Sequence, residues 1–168
     1  MANLRKNVYN ASAGMTITLA SLATDANLLA GREGTAIDNS SNLYLDYFLS
    51  GKITTGTTPT AAKTIEVWVI PEADDSTWPD VFDGTDSAET VTSTDIKALS
   101  GALAAVLPTS ATSDISYPIP KISVASLFGG VCPRKFTVFV THNTGVNLNA
   151  TGGNQVVTLA GVHENLNA

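Results

Sequence analysis

The chain has 168 residues, enough for one domain with its own hydrophobic core, and 43% of them are apolar. Only 14% are charged and the net charge is −6, with nine scattered basic residues, which excludes proteins that bind nucleic acid or anionic membrane surfaces. A single cysteine, Cys132, excludes an intrachain disulfide, and no apolar run is long enough for a transmembrane helix.

The N-terminal segment has the composition of an extended arm. Its isolated apolar and basic side chains are Leu4, Arg5, Lys6, Val8 and Tyr9. Because such a pattern cannot bury a continuous apolar face, we predict an arm over residues 1–13 ahead of a single domain over residues 14–168. No apolar run follows the two basic residues, so the segment is not typical of a signal peptide, and we expect synthesis in a cytoplasm.

Alternating apolar residues predict strands in the first half of the domain. The predicted strands cover residues 15–22, 43–53 and 64–70. The third of them carries apolar side chains on both faces, so we expect both faces to be covered. Residues 95–107 fit a helix in part, but Gly101 and Pro108 weaken that interpretation and favour a strand over 102–107.

The last third of the chain predicts three more strands. Residues 115–124 contain Pro118 and Pro120, and a strand with prolines belongs at the edge of a sheet because proline cannot donate to the ladder. Two alternating runs near the C-terminus, separated by a Gly- and Asn-rich segment, predict a closing β-hairpin. About eight strands joined by turn-rich loops predict an all-β fold, an antiparallel β-sandwich of the jelly-roll kind with long loops.

A long acidic loop interrupts this pattern. Residues 72–89 contain seven carboxylates, and Trp78 lies among them. Loops of this length are usually functional. Oxygen ligands suit calcium, but the spacing does not match a known calcium loop, so we predict no metal while the question of calcium stays open. Trp78 is the one aromatic residue whose loop position suits a partner-binding or glycan-stacking role.

No catalytic or cofactor-binding constellation stands out. His142 and His163 lack companions at metal-ligand spacing, and Cys132 lies in an apolar context that favours a buried thiol. No serine-nucleophile motif is present. A hydrolase would need a carboxylate pair such as Asp80 and Asp83. We therefore predict a protein that is not an enzyme and that carries no cofactor.

Five stretches of turn and strand carry a resemblance to a known family. They are residues 28–47 (LLAGREGTAIDNSSNLYLDY), 50–60 (SGKITTGTTPT), 78–88 (WPDVFDGTDSA), 124–131 (VASLFGGV) and 142–146 (HNTGV). Together they resemble small structural proteins encoded beside the major capsid gene of tailed bacteriophages. The resemblance covers most of residues 20–160 and transfers no site residues.

The resemblance implies a virion component, a capsid decoration or cement protein on the capsid exterior that is made in the host cytoplasm. Its expected partner is the major capsid protein, across whose subunits it would bind. Symmetric shells favour decoration at three-fold sites, so we also expect contacts with copies of itself in a homotrimer. The arm could order on contact with a neighbouring subunit, with Arg5 and Lys6 meeting carboxylates on the shell. The alternative is a glycan- or receptor-binding β-sandwich module of a head fibre or tail, in which Trp78 would contact the ligand.

Overall fold

A computed structural model describes residues 4–74 and 76–167, which form two antiparallel β-sheets packed face to face. Sheet 1 contains β1 (Leu4–Tyr9), β2 (Ala13–Gly14), β5 (Asp46–Thr54), β9 (Ser116–Ser123) and β11 (Val156–Asn167). Sheet 2 contains β3 (Ala30–Glu33), β4 (Ile37–Asp38), β6 (Lys63–Pro71), β7 (Ser87–Thr90), β8 (Ala102–Thr109) and β10 (Lys135–His142). Two short helices, α1 (Thr94–Ser100) and α2 (Val124–Leu127), and a 3₁₀ turn at Gly152–Asn154 complete the structure. Neither helix is long and apolar enough to cross a membrane.

The strand order is that of a jelly roll. In sheet 1 the order is β1-β11-β5-β9, and in sheet 2 the order β3-β10-β6-β8 is extended by β7 beyond β3. Leaving aside the short strands β2, β4 and β7, every connection between consecutive strands crosses from one sheet to the other, except the connection between β6 and β8. Two interleaved Greek keys of this kind define the jelly roll. The predicted antiparallel β-sandwich is therefore confirmed.

The core lies between the sheets, where alternate side chains of each strand point inward. Ile65, Val67 and Val69 of β6 are fully buried there, and so is Val138 of the neighbouring strand β10. The opposite face of β6 is also covered, as its sequence predicts: Trp68 and Ile70 belong to a second apolar cluster, which includes Phe82 and Phe139. The proline-containing strand β9 is an edge strand, as predicted.

Two local predictions are wrong. The segment 15–22 is not a strand, because the chain crosses there between the sheets and turns at residues 20–21. Its backbone bonds are isolated and go to different partners, among them Met15 N to Val157 O, Thr35 N to Thr16 O and Leu148 N to Leu22 O. Its alternating apolar residues contact the core all the same. The two C-terminal strands do not form a hairpin either. β10 pairs with β3, β4 and β6, whereas β11 pairs with β1, β2 and β5.

The predicted arm belongs to the sandwich. Residues 4–9 pair with residues 162–167 of β11 and so form the outer strand of sheet 1, while residues 1–3 lie outside the described part of the chain. Strand β5 pairs with β11 only as far as Val162. Within the described residues, the two strands therefore continue past the end of β5 as a two-stranded ribbon. We call residues 4–9 and 162–167 the ribbon.

The predicted long acidic loop is part of the connection between β6 and β8, residues 72–101. This connection contains β7, which pairs with β3, and α1, which begins after the N-cap Ser93. The helical part of the ambiguous segment is thus α1, and its strand part is β8. Gly101 separates them at a point where a Cβ atom would lie 2.3 Å from the Val69 carbonyl oxygen.

Candidate interaction surfaces

The two histidines and the cysteine have structural surroundings. His142 is fully buried, and its ring nitrogens lie 3.0 Å from the Thr144 hydroxyl and 3.0 Å from the Leu22 carbonyl oxygen. Burial lowers the pKa of His142. Burial also raises the pKa of the Cys132 thiol to about 12, so this thiol is not the thiolate that nucleophilic catalysis needs.

Three carboxylates of the connection each hold a different part of its backbone. Asp74 accepts hydrogen bonds from the amides of Ser76 and Thr77, Asp80 from the amide and hydroxyl of Thr92, and Asp83 from the same groups of Thr85. Across residues 4–74 and 76–167, no group of three or more His, Cys, Asp and Glu side chains is arranged to hold a metal ion. These carboxylates stabilise turns individually rather than converging on one point.

Two further carboxylates anchor the connection to sheet 2. Asp86 forms an ion pair with Arg32 of β3 at 2.5 Å and accepts the Thr18 amide at 3.0 Å. Glu33 of β3 is fully buried and accepts hydrogen bonds from the amides of Gly84 at 2.7 Å and Asp83 at 3.2 Å. Burial raises the pKa of Glu33 to about 7, although these two hydrogen bonds favour the ionised form.

Trp78 is half-buried rather than exposed. Its ring packs against the second apolar cluster, and the Lys135 ammonium lies 5.5 Å from the ring centroid. Gly84 lies so close to the ring that a Cβ atom there would be 2.8 Å from it. Trp78 therefore does not offer the fully open ring that a stacking platform needs, because its loop folds back onto sheet 2.

The outward side of sheet 1 carries aromatic and basic groups together. Tyr9 of the ribbon is 58% exposed and stacks on Phe48 of β5, with ring centroids 5.8 Å apart. The Lys121 ammonium lies 4.7 Å from the Phe48 centroid and 5.9 Å from that of Tyr9. Strand register places Lys52 and Arg5 on the same side, together with two carboxylates: Asp46, which accepts the Ala125 amide, and Glu164, which pairs with Arg5. We call Arg5, Tyr9, Phe48, Lys52 and Lys121 the basic face.

The base of the ribbon is fixed by Tyr44. The Tyr44 ring packs against His163 at 5.8 Å, and its hydroxyl accepts a hydrogen bond from Asn10 at 2.6 Å. This close approach requires Gly161, because a Cβ atom there would lie 2.3 Å from the ring. A cleft of about 330 Å³ adjoins this point and is lined by Asn10, Asp38, Tyr44, Tyr47 and their neighbours. Tyr47 is almost fully buried, so the cleft offers little open aromatic surface.

A second surface lies on the outer side of β8 and is apolar. Leu99 of α1 is 82% exposed, and Leu103 and Val106 of β8 are also exposed. Both β8 side chains lie on the outward side of sheet 2. Leu103 is paired there with Trp68 of β6, and Val106 is paired with Glu66. Residues 98–113 contain no charged side chain. We call Leu99, Leu103 and Val106 the β8 strip.

The structure brings together only part of the predicted partner-binding set. Arg5 and Tyr9 lie on the basic face, whereas Lys6 and Val8 lie on the opposite side of the ribbon, and the side chain of Leu4 lies outside the described part of the structure. Trp78 is on the other sheet. The sequence analysis missed Phe48, Lys121 and the β8 strip, although the uncharged run around β8 was a signal for the strip.

Comparison with known proteins gives no relative. No family model, no curated protein and no solved structure matches this chain.

Proposed function

We propose that this protein is a virion structural protein, a decoration subunit that stabilises a capsid by binding across neighbouring major-capsid subunits. The observation that carries the proposal is a jelly-roll sandwich with two separate exposed surfaces, the β8 strip and the basic face. A subunit that coats a shell must contact both the shell and its own copies, and therefore needs more than one such surface. The jelly roll is also a common architecture of viral capsid proteins.

The composition supports the same function. Interface cores are depleted in charged residues and enriched in aromatic and arginine side chains. The β8 strip has the first property, and the basic face, with Arg5, Tyr9 and Phe48, has the second. A decoration subunit works by adding contact area, so it needs no catalytic group. The proposed location is the capsid exterior.

The alternative, a glycan- or receptor-binding module, gains less support. A stacking platform needs an open aromatic face. Trp78, the residue on which that alternative depended, has Lys135 over its ring and Gly84 against it. The decoration function therefore remains the better-supported proposal.

The test is co-sedimentation of the purified protein with capsid shells assembled without it. We expect the protein to pellet with the shells and a Val106→Asp variant to bind about tenfold or more weakly, because the charge would be buried at the contact. Val131→Asp is the matched control, since Val131 is also exposed but belongs to the loop between α2 and β10 and not to the β8 strip. A protein that stays in the supernatant would overturn the proposal.

A further inference from the structure

Charge is segregated between the two sides of the molecule. The strands of sheet 1 contain four basic residues (Arg5, Lys6, Lys52, Lys121) and two acidic ones (Asp46, Glu164). Residues 72–95, which pack on sheet 2, contain eight acidic residues and no basic one. The net charge of −6 is therefore unevenly distributed: the sheet 1 side is slightly basic and the sheet 2 side is strongly acidic.

Two of the three cations of the basic face have no carboxylate partner among the described residues. Arg5 pairs loosely with Glu164 at 3.4 Å. Lys121 lies over the rings of Tyr9 and Phe48, and within the described residues neither Lys121 nor Lys52 forms an ion pair. The face thus combines an exposed aromatic centre with flanking positive charge, which is the composition of a protein-binding hot spot.

The acidic side presents the complementary arrangement in one turn. Residues 80–83 place the exposed Val81 between two exposed carboxylates, Asp80 and Asp83. Their hydrogen bonds to Thr92 and Thr85 hold the carboxylates in place without neutralising them. Neither carboxylate has a cation partner in the part of the chain that the structure describes. We call residues 80–83 the acidic turn.

We propose that the basic face binds the acidic turn of a second copy of this chain. This inference rests on the proposed function, since it names the neighbour that one of the two surfaces contacts. Val81 would pack on Tyr9 and Phe48, while Asp83 meets Lys121 and Asp80 meets Lys52. Charge complementarity of this kind steers association and fixes register.

The geometry makes the contact heterologous. The face lies on sheet 1 and the turn packs on sheet 2, so each copy presents both halves of the interface in different places. A contact between unlike surfaces propagates from copy to copy and closes into a ring when the rotation allows it. A ring of three would be the homotrimer that the sequence analysis expects from the three-fold sites of a symmetric shell.

The experiment measures the mass of the purified full chain by light scattering at low and high ionic strength. We expect an oligomer at low salt that dissociates as salt is added, because screening weakens exposed charge pairs. Lys121→Glu and Asp83→Lys should each raise the dissociation constant about tenfold or more, since like charges then face each other. The double variant with both changes should associate again, because the two charges have exchanged places.

Lys63→Glu is the matched control, because it makes the same charge change on β6 of sheet 2, outside both surfaces. It should associate like the parent. A parent chain that is monomeric at low salt, or a double variant that stays dissociated, would overturn the inference. Shell binding is measured separately and depends on the β8 strip, so its loss would count against the proposed function and not against this contact.

Discussion

The connection between β6 and β8 and the N-terminal ribbon both lie outside the central strands, but they are held in opposite ways. The connection has buried anchors. Phe82 packs edge-to-face on Phe139 of β10, with ring centroids 5.3 Å apart. Glu33 of β3 accepts a hydrogen bond from the Gly84 amide, and Asp86 of the connection forms an ion pair with Arg32 of β3. The ribbon is held by its backbone ladder and by Tyr44 at its base. Its outer side chains are exposed.

This difference separates residues that stabilise the fold from residues available to a partner. Buried apolar and hydrogen-bonded groups contribute to stability, whereas an exposed aromatic residue contributes little until something covers it. Substitutions in the connection should therefore change the free energy of unfolding. Substitutions in the ribbon should change association instead.

The largest effect should come from Phe82→Ala. Phe82 is only 4% exposed and belongs to the second apolar cluster, so its removal leaves a cavity against Phe139. We expect a loss of about 3 kcal/mol or more in the free energy of unfolding, measured by urea denaturation. A loss below about 1 kcal/mol would show that the connection is not anchored by this cluster.

Glu33→Gln should change the pH dependence of stability. The pKa of Glu33 is about 7 in the folded chain, above its ordinary value of 4.5, so its contribution is fully present below pH 4.5 and is lost as the pH rises to 7. This loss amounts to about 3 kcal/mol. His142 contributes the opposite trend in both proteins because burial lowers its pKa, so the difference between parent and variant isolates Glu33. Parallel stability curves would contradict the assignment.

Asp86→Asn should have an intermediate effect. It removes the ion pair with Arg32, in which both side chains are largely buried, but preserves the shape of the side chain. We expect a loss of about 1–2 kcal/mol in urea denaturation and faster amide hydrogen exchange around β7. Asp95→Asn serves as the control, since Asp95 lies in the same connection at the start of α1. Equal exchange rates in the two variants would indicate that Asp86 is not an anchor.

Tyr9→Ala should have the smallest effect on stability. Because more than half of the Tyr9 side chain is exposed, we expect a change below about 1 kcal/mol in the free energy of unfolding. The same substitution should weaken self-association at low salt, measured by light scattering. If unfolding is affected as strongly as in Phe82→Ala, the ribbon would be part of the stable core rather than an interaction surface.

The sequence correctly predicted the position of a strand within its sheet where the residues of that strand alone indicate it. The two-sided apolar run of β6 and the prolines of β9 correctly indicated a covered central strand and an edge strand. The predictions failed where the conformation of a segment depends on residues distant in the sequence. The segment 15–22 alternates as a strand does, but it crosses between sheets, so its backbone has no continuous partner.

The candidate surfaces show the same limit. Arg5 and Tyr9 could be recognised from the sequence as unburied residues of an N-terminal segment. Lys121 and Phe48 could not be associated with them, because only the pairing of β1 with β11, of β11 with β5 and of β5 with β9 brings these side chains to one side of sheet 1. Trp78 was misjudged for the same reason, since Gly84 and Lys135 reach its ring only in the folded connection.

The sequence by itself determined the all-β class, the positions of most long strands and the separation of acidic from basic residues along the chain, because side-chain period and composition are local properties. Only the tertiary structure decided that β10 and β11 belong to different sheets, that residues 4–9 form a ribbon with the end of β11, and that aromatic and basic groups meet on one face. Hydrogen bonds between strands distant in sequence form according to how the whole core packs, and no single segment encodes that arrangement.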